Sequence, residues 1–257
     1  MSWLSSLFAR PSEIKKAVFV QWFVQIAVIF ACIATAVPGI NESHYLTKAK
    51  HALDSSFAPG DLFLESGDSH LTATYLAGIL SLVLPLEMVA WFGRLICWGF
   101  LSWAWIHFCR SLKIPALLAP FALASWIFAV HYGHWAGEWA VGGFEGKSLA
   151  YPCVLLGLAA AVEKRWKNAW IWLAIAVIWH PLVGGWAGLS LVLVWLFFPG
   201  SPSALAQWPW ILAAFFISLL GVLPALSGIQ GSDPSGVADQ VHVFFRLDHH
   251  QRPTTLA

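Results

Sequence analysis

Long apolar runs alternate with short polar turns along most of this chain. Runs of about 20 apolar residues are long enough to cross the hydrocarbon core of a bilayer as helices. The run 71–84 is shorter and ends at Pro85, so it predicts an interfacial helix. The pattern predicts an all-α, polytopic membrane protein with about seven spans, at 17–40, 86–108, 114–130, 148–162, 169–179, 182–198 and 205–226.

The composition agrees with this pattern and narrows the class of protein. Hydrophobic residues make up 59% of the chain and charged residues 11%, and the mean hydropathy is +0.70. Soluble domains carry about 25% charged residues. The net charge of +1 comes with no basic patch, so we expect the lipid bilayer as a partner and no nucleic acid. We expect no disulfide framework or zinc knuckle, because the four cysteines fall in apolar segments without CxxC spacing.

We expect one membrane domain over residues 1–257. Its polar parts are the N-terminus 1–16, a first loop at 41–70, and a tail at 228–257. The tail follows the last apolar run without a further span, and we expect that the full-length protein continues beyond it.

Charged residues are sorted between the two sets of turns. One set contains eight bases: Arg10, Lys15, Lys16, Arg110, Lys113, Lys164, Arg165 and Lys167. The other set contains ten acids: Glu42, Asp54, Asp61, Glu65, Asp68, Glu138, Glu145, Asp233, Asp239 and Asp248. Lysine and arginine concentrate in cytoplasmic loops. This asymmetry predicts a cytoplasmic N-terminus and an extracytoplasmic acidic loop.

Asn41 and Glu42 open the acidic loop directly after the first span. Asn41 is a residue type that caps helices, and Glu42 would then lie in the first turn, where the helix dipole favours an anion. The apolar positions of such a helix are Tyr45, Ala49 and Ala52. A capped interfacial helix and a functional carboxylate are both open interpretations of this segment.

The segment NESHYLTKA resembles the D-E-x-x-Y-x-x-x-A signature that follows the first membrane helix in the GT-C superfamily of integral-membrane glycosyltransferases. Glu42 aligns with the second acid and Tyr45 with the tyrosine, whereas Asn41 replaces the first acid. The stretches FEGKSLAY and HPLVG are also similar to bacterial GT-C-like proteins. The resemblance implies sugar transfer from a polyprenyl-phosphate donor at the extracytoplasmic face of a bacterial inner membrane. It also implies that Glu42 serves as base or as the group that orients the acceptor.

Such a reaction needs a carboxylate to take the acceptor's proton and cations to hold the phosphate. The candidate carboxylates are Glu42 and, in support, Asp61. The candidate phosphate holders are Arg94, Lys147 and Arg246. Further candidates for substrate binding are Asn41, His44, Tyr45, Glu145 and His180.

Several of these residues also have a purely structural interpretation. Arg94 lies about two turns inside a span, where an ion is costly unless it is paired or functional. Glu87 is about 10 Å away along the helix axis, so a direct pair with Arg94 needs both side chains extended. Pairing with some acid and a role at the lipid phosphate are both open interpretations of Arg94. Glu145 and Lys147 are equally consistent with interfacial charges that reach to water. His180, before Pro181, is most simply a residue at a helix end.

A rival hypothesis is a histidine-box metalloenzyme or oxygenase. His131, His134 and Glu138 would share one face of a helix, as metal ligands do, and His249 and His250 form a second cluster in the tail. Neither an HExxH nor an HxxHH box occurs. No cofactor is required by the sequence, and a divalent metal is the alternative. A non-catalytic lipid-binding, sugar-binding or transport protein is the third hypothesis.

Overall fold

The computed structural model describes residues 11–39, 41–133 and 141–227, with side chains for residues 16–39, 41–131 and 141–226. These residues form α-helices and turns and contain no strand. The helices are α1 (Pro11–Ile33), α2 (Glu42–Leu53), α3 (Leu71–Ser81), α4 (Leu86–Ser111), α5 (Ala119–Gly133), α6 (Gly146–Val162), α7 (Trp166–Trp179), α8 (Pro181–Phe197) and α9 (Ala204–Ser227). The all-α prediction is confirmed for this part of the chain.

Three helices, α1, α4 and α9, are long and apolar enough to cross a membrane. Most of α4 is buried, whereas α1 and α9 expose many large apolar side chains, including Phe19, Phe23, Phe215 and Phe216. Exposed apolar side chains on this scale are stable when lipid covers them. The other four helices at predicted spans, α5 to α8, are 14 to 17 residues long.

The helix α4 is the centre of the main hydrophobic core. It packs against α1, α5 and α6, and α7 then packs against α6, α8 and α9. The pair α1 and α4 is antiparallel, because the Trp22 indole donates to Gly99 O at 2.7 Å while Arg94 bonds to Thr35 O near the far end of α1. Cys97, Cys109 and Cys153 are buried free thiols, and Cys32 is an exposed one.

The two short helices α2 and α3 pack on each other and on α4. The predicted helix at 71–84 forms, but it ends at Ser81 and turns before Pro85. The burial pattern of α2 differs from the prediction: its buried apolar residues are Leu46 and Ala49, whereas Tyr45 is half-buried and Ala52 is exposed. The buried face of α2 therefore contains Glu42, Leu46 and Ala49, and not Tyr45 and Ala52.

The bundle has two chemically different ends. Glu42 accepts a hydrogen bond from Phe144 N, just before α6 begins, and the basic turn at 163–165 follows the last residue of α6. A helix of 17 residues is about 25 Å long. We call the end with Glu42 the acidic end and the end with residues 163–165 the basic end.

Candidate functional site

Glu42 and Arg94 form a buried, two-point ion pair at the acidic end. Arg94 Nε donates to Glu42 Oε1 at 2.8 Å, and Arg94 Nη2 donates to Oε2 at 2.6 Å. Glu42 is 0% exposed and Arg94 is 2% exposed. Paired hydrogen bonds of this kind fix geometry as well as adding energy.

Backbone groups complete the bonding of both side chains. Gly39 N donates to Glu42 Oε2, and Phe144 N donates to Oε1, each at 2.8 Å. Arg94 Nη1 donates to Thr35 O at 2.7 Å, and Nη2 donates to Ala36 O at 3.3 Å. The pair therefore joins the end of α1, the start of α2, the middle of α4 and the start of α6.

Two glycines allow the backbone to approach the pair closely. A Cβ on Gly143 would lie 2.4 Å from Glu42 Cγ, and a Cβ on Gly39 would lie 2.6 Å from Arg94 Nη2. Real Cβ atoms do not approach other atoms this closely, so a larger residue at either position would displace the pair. The site is closed around the carboxylate.

The pKa of Glu42 is lowered although the group is buried. Burial by itself would raise the pKa, but the hydrogen bonds from Arg94, Gly39 and Phe144, together with the charge of Arg94, outweigh it. Glu42 is therefore an ionised anion at neutral pH.

These contacts give Arg94 a structural role, as the partner of a buried acid. Its partner is Glu42, 52 residues away in sequence, and not Glu87. Asn41 occupies the N-cap position of α2, but its side chain makes no capping hydrogen bond. The expected side-chain cap is therefore absent at Asn41, whose backbone is helical (φ −93°, ψ −2°) and not extended as in a capping residue.

A second group of polar residues lies at the same end of the bundle. The rings of His70 and His180 stack with centroids 4.7 Å apart, and Tyr45 meets His70 edge-on at 5.9 Å. Gly146 lies against the carbonyl of Trp179, which places the start of α6, and with it Lys147, beside His180. We call Tyr45, His70, Lys147 and His180 the histidine cluster.

His70 is kept neutral within this cluster. Burial lowers its pKa and the nearby charge of Lys147 lowers it further, while Asp68 opposes the shift. Its Nδ1 atom is buried and has no hydrogen-bond partner among the described residues. Asp68 holds the segment in place by accepting from His70 N at 2.7 Å and from the Thr74 hydroxyl.

His180 has the structural role expected of a residue at a helix end. It ends α7 and caps α8, where its Nδ1 accepts a hydrogen bond from Val183 N at 3.3 Å. Pro181 follows at the first helical position, where its missing N–H costs nothing. The same residue also belongs to the histidine cluster.

Glu145 and Lys147 are buried, at 4% and 7% exposure. Their interpretation as interfacial charges that reach to water is wrong, because the loop before α6 folds inward onto Glu42 and α6 starts against α7. Buried charges need partners.

Asp61 and His44 are exposed and lie apart from the ion pair. They line a shallow surface pocket of about 530 Å³ together with Thr47, Phe57 and Phe63. Asp61 Oδ1 accepts hydrogen bonds from Phe63 N and Leu64 N, so it stabilises the turn after α2. The structure does not bring Asp61 to the carboxylate of Glu42, which is fully buried.

No group of three or more metal-ligating side chains occurs among the described residues. His131 is exposed and lines a cavity of about 480 Å³ with Cys32 and Ser125. The other metal candidates, His134, Glu138, His249 and His250, lie outside the described residues, as does the phosphate candidate Arg246.

Sequence reasoning missed two residues of this end, His70 and Lys48. The Lys48 ammonium is buried and donates to Phe63 O, Ser66 Oγ and Gly67 O at 2.8 to 3.1 Å, which fastens the loop after α2. The signal for His70 was its place directly before an apolar helix, next to an acid. The position of His70 in the sequence does not indicate that its ring stacks on that of His180.

Comparison with known proteins adds no relative. No family model, curated protein or solved structure matches this chain.

Proposed function

We propose that this chain is a membrane glycosyltransferase-like protein, similar to the GT-C superfamily, that transfers a sugar from a polyprenyl-phosphate donor to an acceptor. The observation that carries the proposal is the histidine cluster, in which a buried lysine lies beside a neutral imidazole at the acidic end. A cation and a proton acceptor are the two groups that such a transfer needs.

Lys147 is the proposed phosphate holder. Its charge would stabilise the negative charge that builds on the leaving phosphate oxygen as the bond from that oxygen to the sugar C1 breaks. The low exposure of Lys147 strengthens this interaction, because less water screens the charge.

His70 is the proposed proton acceptor. As the acceptor hydroxyl oxygen bonds to the sugar C1, its proton would pass to Nδ1 of His70, which is neutral and has no protein partner in the described chain. Glu42 is less suited to accept this proton, because both of its carboxylate oxygens already accept hydrogen bonds from Arg94 and from backbone N–H groups, whereas Nδ1 of His70 accepts none from the described residues.

Glu42 is the proposed orienting group. Through Phe144 N it fixes the segment that leads into α6 and so positions Lys147. Arg94 acts with it, since the guanidinium ties Glu42 to the end of α1. Asp61 and His44, in their surface pocket, are proposed to contact the acceptor.

The proposed placement in the membrane follows the charge asymmetry. All seven of the longer helices are proposed to lie in the bilayer, with α5 to α8 held between longer neighbours, and the N-terminus in the cytoplasm of a bacterial inner membrane. The acidic end then faces the extracytoplasmic side, where polyprenyl-linked sugars are presented.

The test compares the His70→Gln and Lys147→Met variants with the unsubstituted protein, all as full-length chains in membranes. It measures labelled product formed from radiolabelled polyprenyl-phosphate sugars. We expect His70→Gln to lower product formation about 100-fold or more. We expect Lys147→Met to weaken binding of polyprenyl phosphate about ten-fold or more, since a hydrogen bond to a charged group is lost. The matched control is Lys50→Met, because Lys50 belongs to α2 and its ammonium lies over the ring of Phe57 in the following loop. Unchanged turnover in His70→Gln would overturn the assignment.

A second candidate is a protein that binds polyprenyl phosphate or its sugar without catalysis. The enclosure of Glu42 favours it, because the carboxylate that the GT-C signature offers to substrate is bound to Arg94 and to two backbone N–H groups here. This candidate predicts polyprenyl-phosphate binding that is lost in Lys147→Met and no labelled product with any sugar donor.

A further inference from the structure

The basic end contains an apolar cleft of about 520 Å³ that no predicted site residue lines. Its walls come from the end of α4, the turn between α6 and α7, and the end of α8. The apolar lining includes Leu112, Leu158, Ala161, Val162, Val194 and Phe198. A volume of this size lies within the range of about 300–1,000 Å³ that is usual for small-molecule sites.

The cleft opens on the outer surface of the bundle. Leu112, Val162, Val194 and Phe198, on three different segments, are all exposed large apolar side chains. A group of exposed large apolar side chains of this kind is typical of a place where an apolar partner binds. Because the lining is continuous with the apolar outer face of α8, the occupant can enter sideways from the bilayer.

A lysine lies at the opening of the cleft. Lys164 lines the cleft itself, and Arg165 and Lys167 are exposed beside it. Glu163 is the one acid between residues 158 and 200, and its carboxylate is already bound by Arg165 at 2.5 Å. Lys167 lies over the ring of Trp210. Lys164 is therefore the cation that lines the cleft, and the acid nearest to it in sequence is bound by Arg165.

The backbone holds Lys164 in an unusual conformation. Its φ is +58°, the left-handed region that glycine adopts most easily, at the second position after the last residue of α6. Arg165 N donates to Ala160 O at 2.7 Å, which closes the helix end around this residue. Lys113, after α4, has the same φ of +58°, so the conformation belongs to the helix end, and glycine is a compatible replacement at residue 164.

We propose that this cleft binds one anionic phospholipid, with an acyl chain between α4, α6 and α8 and the lipid phosphate at Lys164. Basic pockets between helices at the cytoplasmic side of a membrane recognise lipid phosphates in this way. The proposal is independent of sugar transfer, because it uses the other end of the bundle.

The test measures lipid retained by the purified full chain with native mass spectrometry, after exchange into equal amounts of phosphatidylglycerol and phosphatidylcholine with identical acyl chains. Both lipids carry the phosphate, but the choline ammonium cancels its charge, so one lysine beside the phosphate predicts about a five-fold preference for the net-anionic phosphatidylglycerol. Equal retention of the two lipids by the unmodified protein would mean a non-specific lipid shell and would overturn the proposal.

The decisive variant is Lys164→Gly. Glycine fits φ of +58° better than lysine, so the unfolding temperature in lipid-free detergent should stay equal or rise. At the same time the preference for phosphatidylglycerol should fall toward parity. A variant that folds at least as well and still loses the preference separates lipid binding from stability.

Two further variants test the two halves of the site. Lys16→Gln removes an exposed lysine of α1, which does not line the cleft, and should keep the preference. A loss as large as that of Lys164→Gly would show diffuse attraction and would contradict the site. Ala161→Phe fills the cleft and should lower retention of both lipids, whereas unchanged retention would exclude an acyl chain there.

Discussion

At the scale of single residues, the Glu42–Arg94 pair is the most constrained feature of the molecule. Removing two ions from water is costly, and their attraction offsets this cost only when the geometry is good and the remaining hydrogen bonds are made. Both conditions hold, because the carboxylate receives two N–H groups besides the guanidinium. The pair is therefore specific to one arrangement of α1, α2, α4 and α6.

We expect Glu42→Gln to destabilise the protein by about 3–5 kcal/mol, because Arg94 would stay buried without its counter-charge. The measurement is the unfolding free energy, or the shift in unfolding temperature, in a fixed detergent. Loss of activity in this variant cannot by itself assign catalysis to Glu42, since the fold changes with it.

The matched control is Glu163→Gln, which breaks the exposed ion pair with Arg165. Exposed pairs contribute about 0–1 kcal/mol, so this change should be nearly silent. Equal effects of the two substitutions would contradict the burial of Glu42.

We expect stability to fall in two steps as the pH is lowered. The pKa of His70 is lowered from 6.5, so its contribution is complete above pH 6.5 and is lost as the pH falls toward its folded-state pKa. The pKa of Glu42 is lowered from 4.5, so its contribution is complete above pH 4.5 and is lost below that. Thermal unfolding in detergent from pH 8 to pH 3 measures both steps.

The variant His70→Gln should make the first of these steps shallower and leave the second unchanged. His180, Lys147, Asp68 and Tyr45 are the neighbours that define the environment of His70. An identical profile with and without His70 would contradict the assignment of the first step to this residue.

At the scale of elements, the corner between α7 and α8 determines how the second half of the bundle packs. The ring of Pro181 disfavours a helical backbone at the residue before it, so α7 ends at Trp179 and the backbone of His180 is extended. The chain then folds back so closely that a Cβ on Gly184 would lie 2.2 Å from Val177 N. Glycine is needed at this position for space alone.

We expect Gly184→Ala to destabilise the protein by about 1–3 kcal/mol, because the added methyl group would force α8 away from α7. Gly185→Ala is the control on the same helix, since nothing lies within 4 Å of a Cβ there. The control should be stabilising by about 0.5–1 kcal/mol through helix propensity. Unfolding temperatures of the two variants in one detergent decide between the effects, and a tolerated alanine at residue 184 would contradict the close packing.

At the scale of the whole molecule, the described chain is a bundle with an acidic end that contains the histidine cluster and a basic end that contains an apolar cleft. The helix α6 connects them, from Lys147 near its start to the turn at 163–165 after its last residue. This separation is what the distribution of charge along the sequence predicts for a protein that crosses a bilayer.

We expect cysteines introduced at the two ends to react from opposite sides of the membrane. Ser55→Cys places a thiol in the exposed loop after α2, and Ser203→Cys places one in the exposed turn before α9. A membrane-impermeant maleimide should label the first in intact cells and the second only after permeabilisation. Replacing the exposed Cys32 by serine beforehand removes the background. Labelling of both from one side would contradict the placement in the bilayer.

The sequence by itself determined the helices and the character of the two ends. A run of apolar residues of given length forms a helix in lipid whatever its neighbours are, and a proline such as Pro85 or Pro181 separates helices through its own ring. Glu42, Lys147 and His180 could also be predicted as candidate site residues, because charged and imidazole groups beside apolar runs are easily recognised in a sequence.

Only the tertiary structure decided the partners of those candidates. Arg94 lies 52 residues from Glu42, and Phe144 lies 102 residues from it, so neither contact has a local signature. The stacking of His70 on His180 likewise depends on how α3 and α7 pack. Hydropathy fixes where a segment lies relative to lipid, but which distant side chains meet depends on the shape and packing of the helices between them.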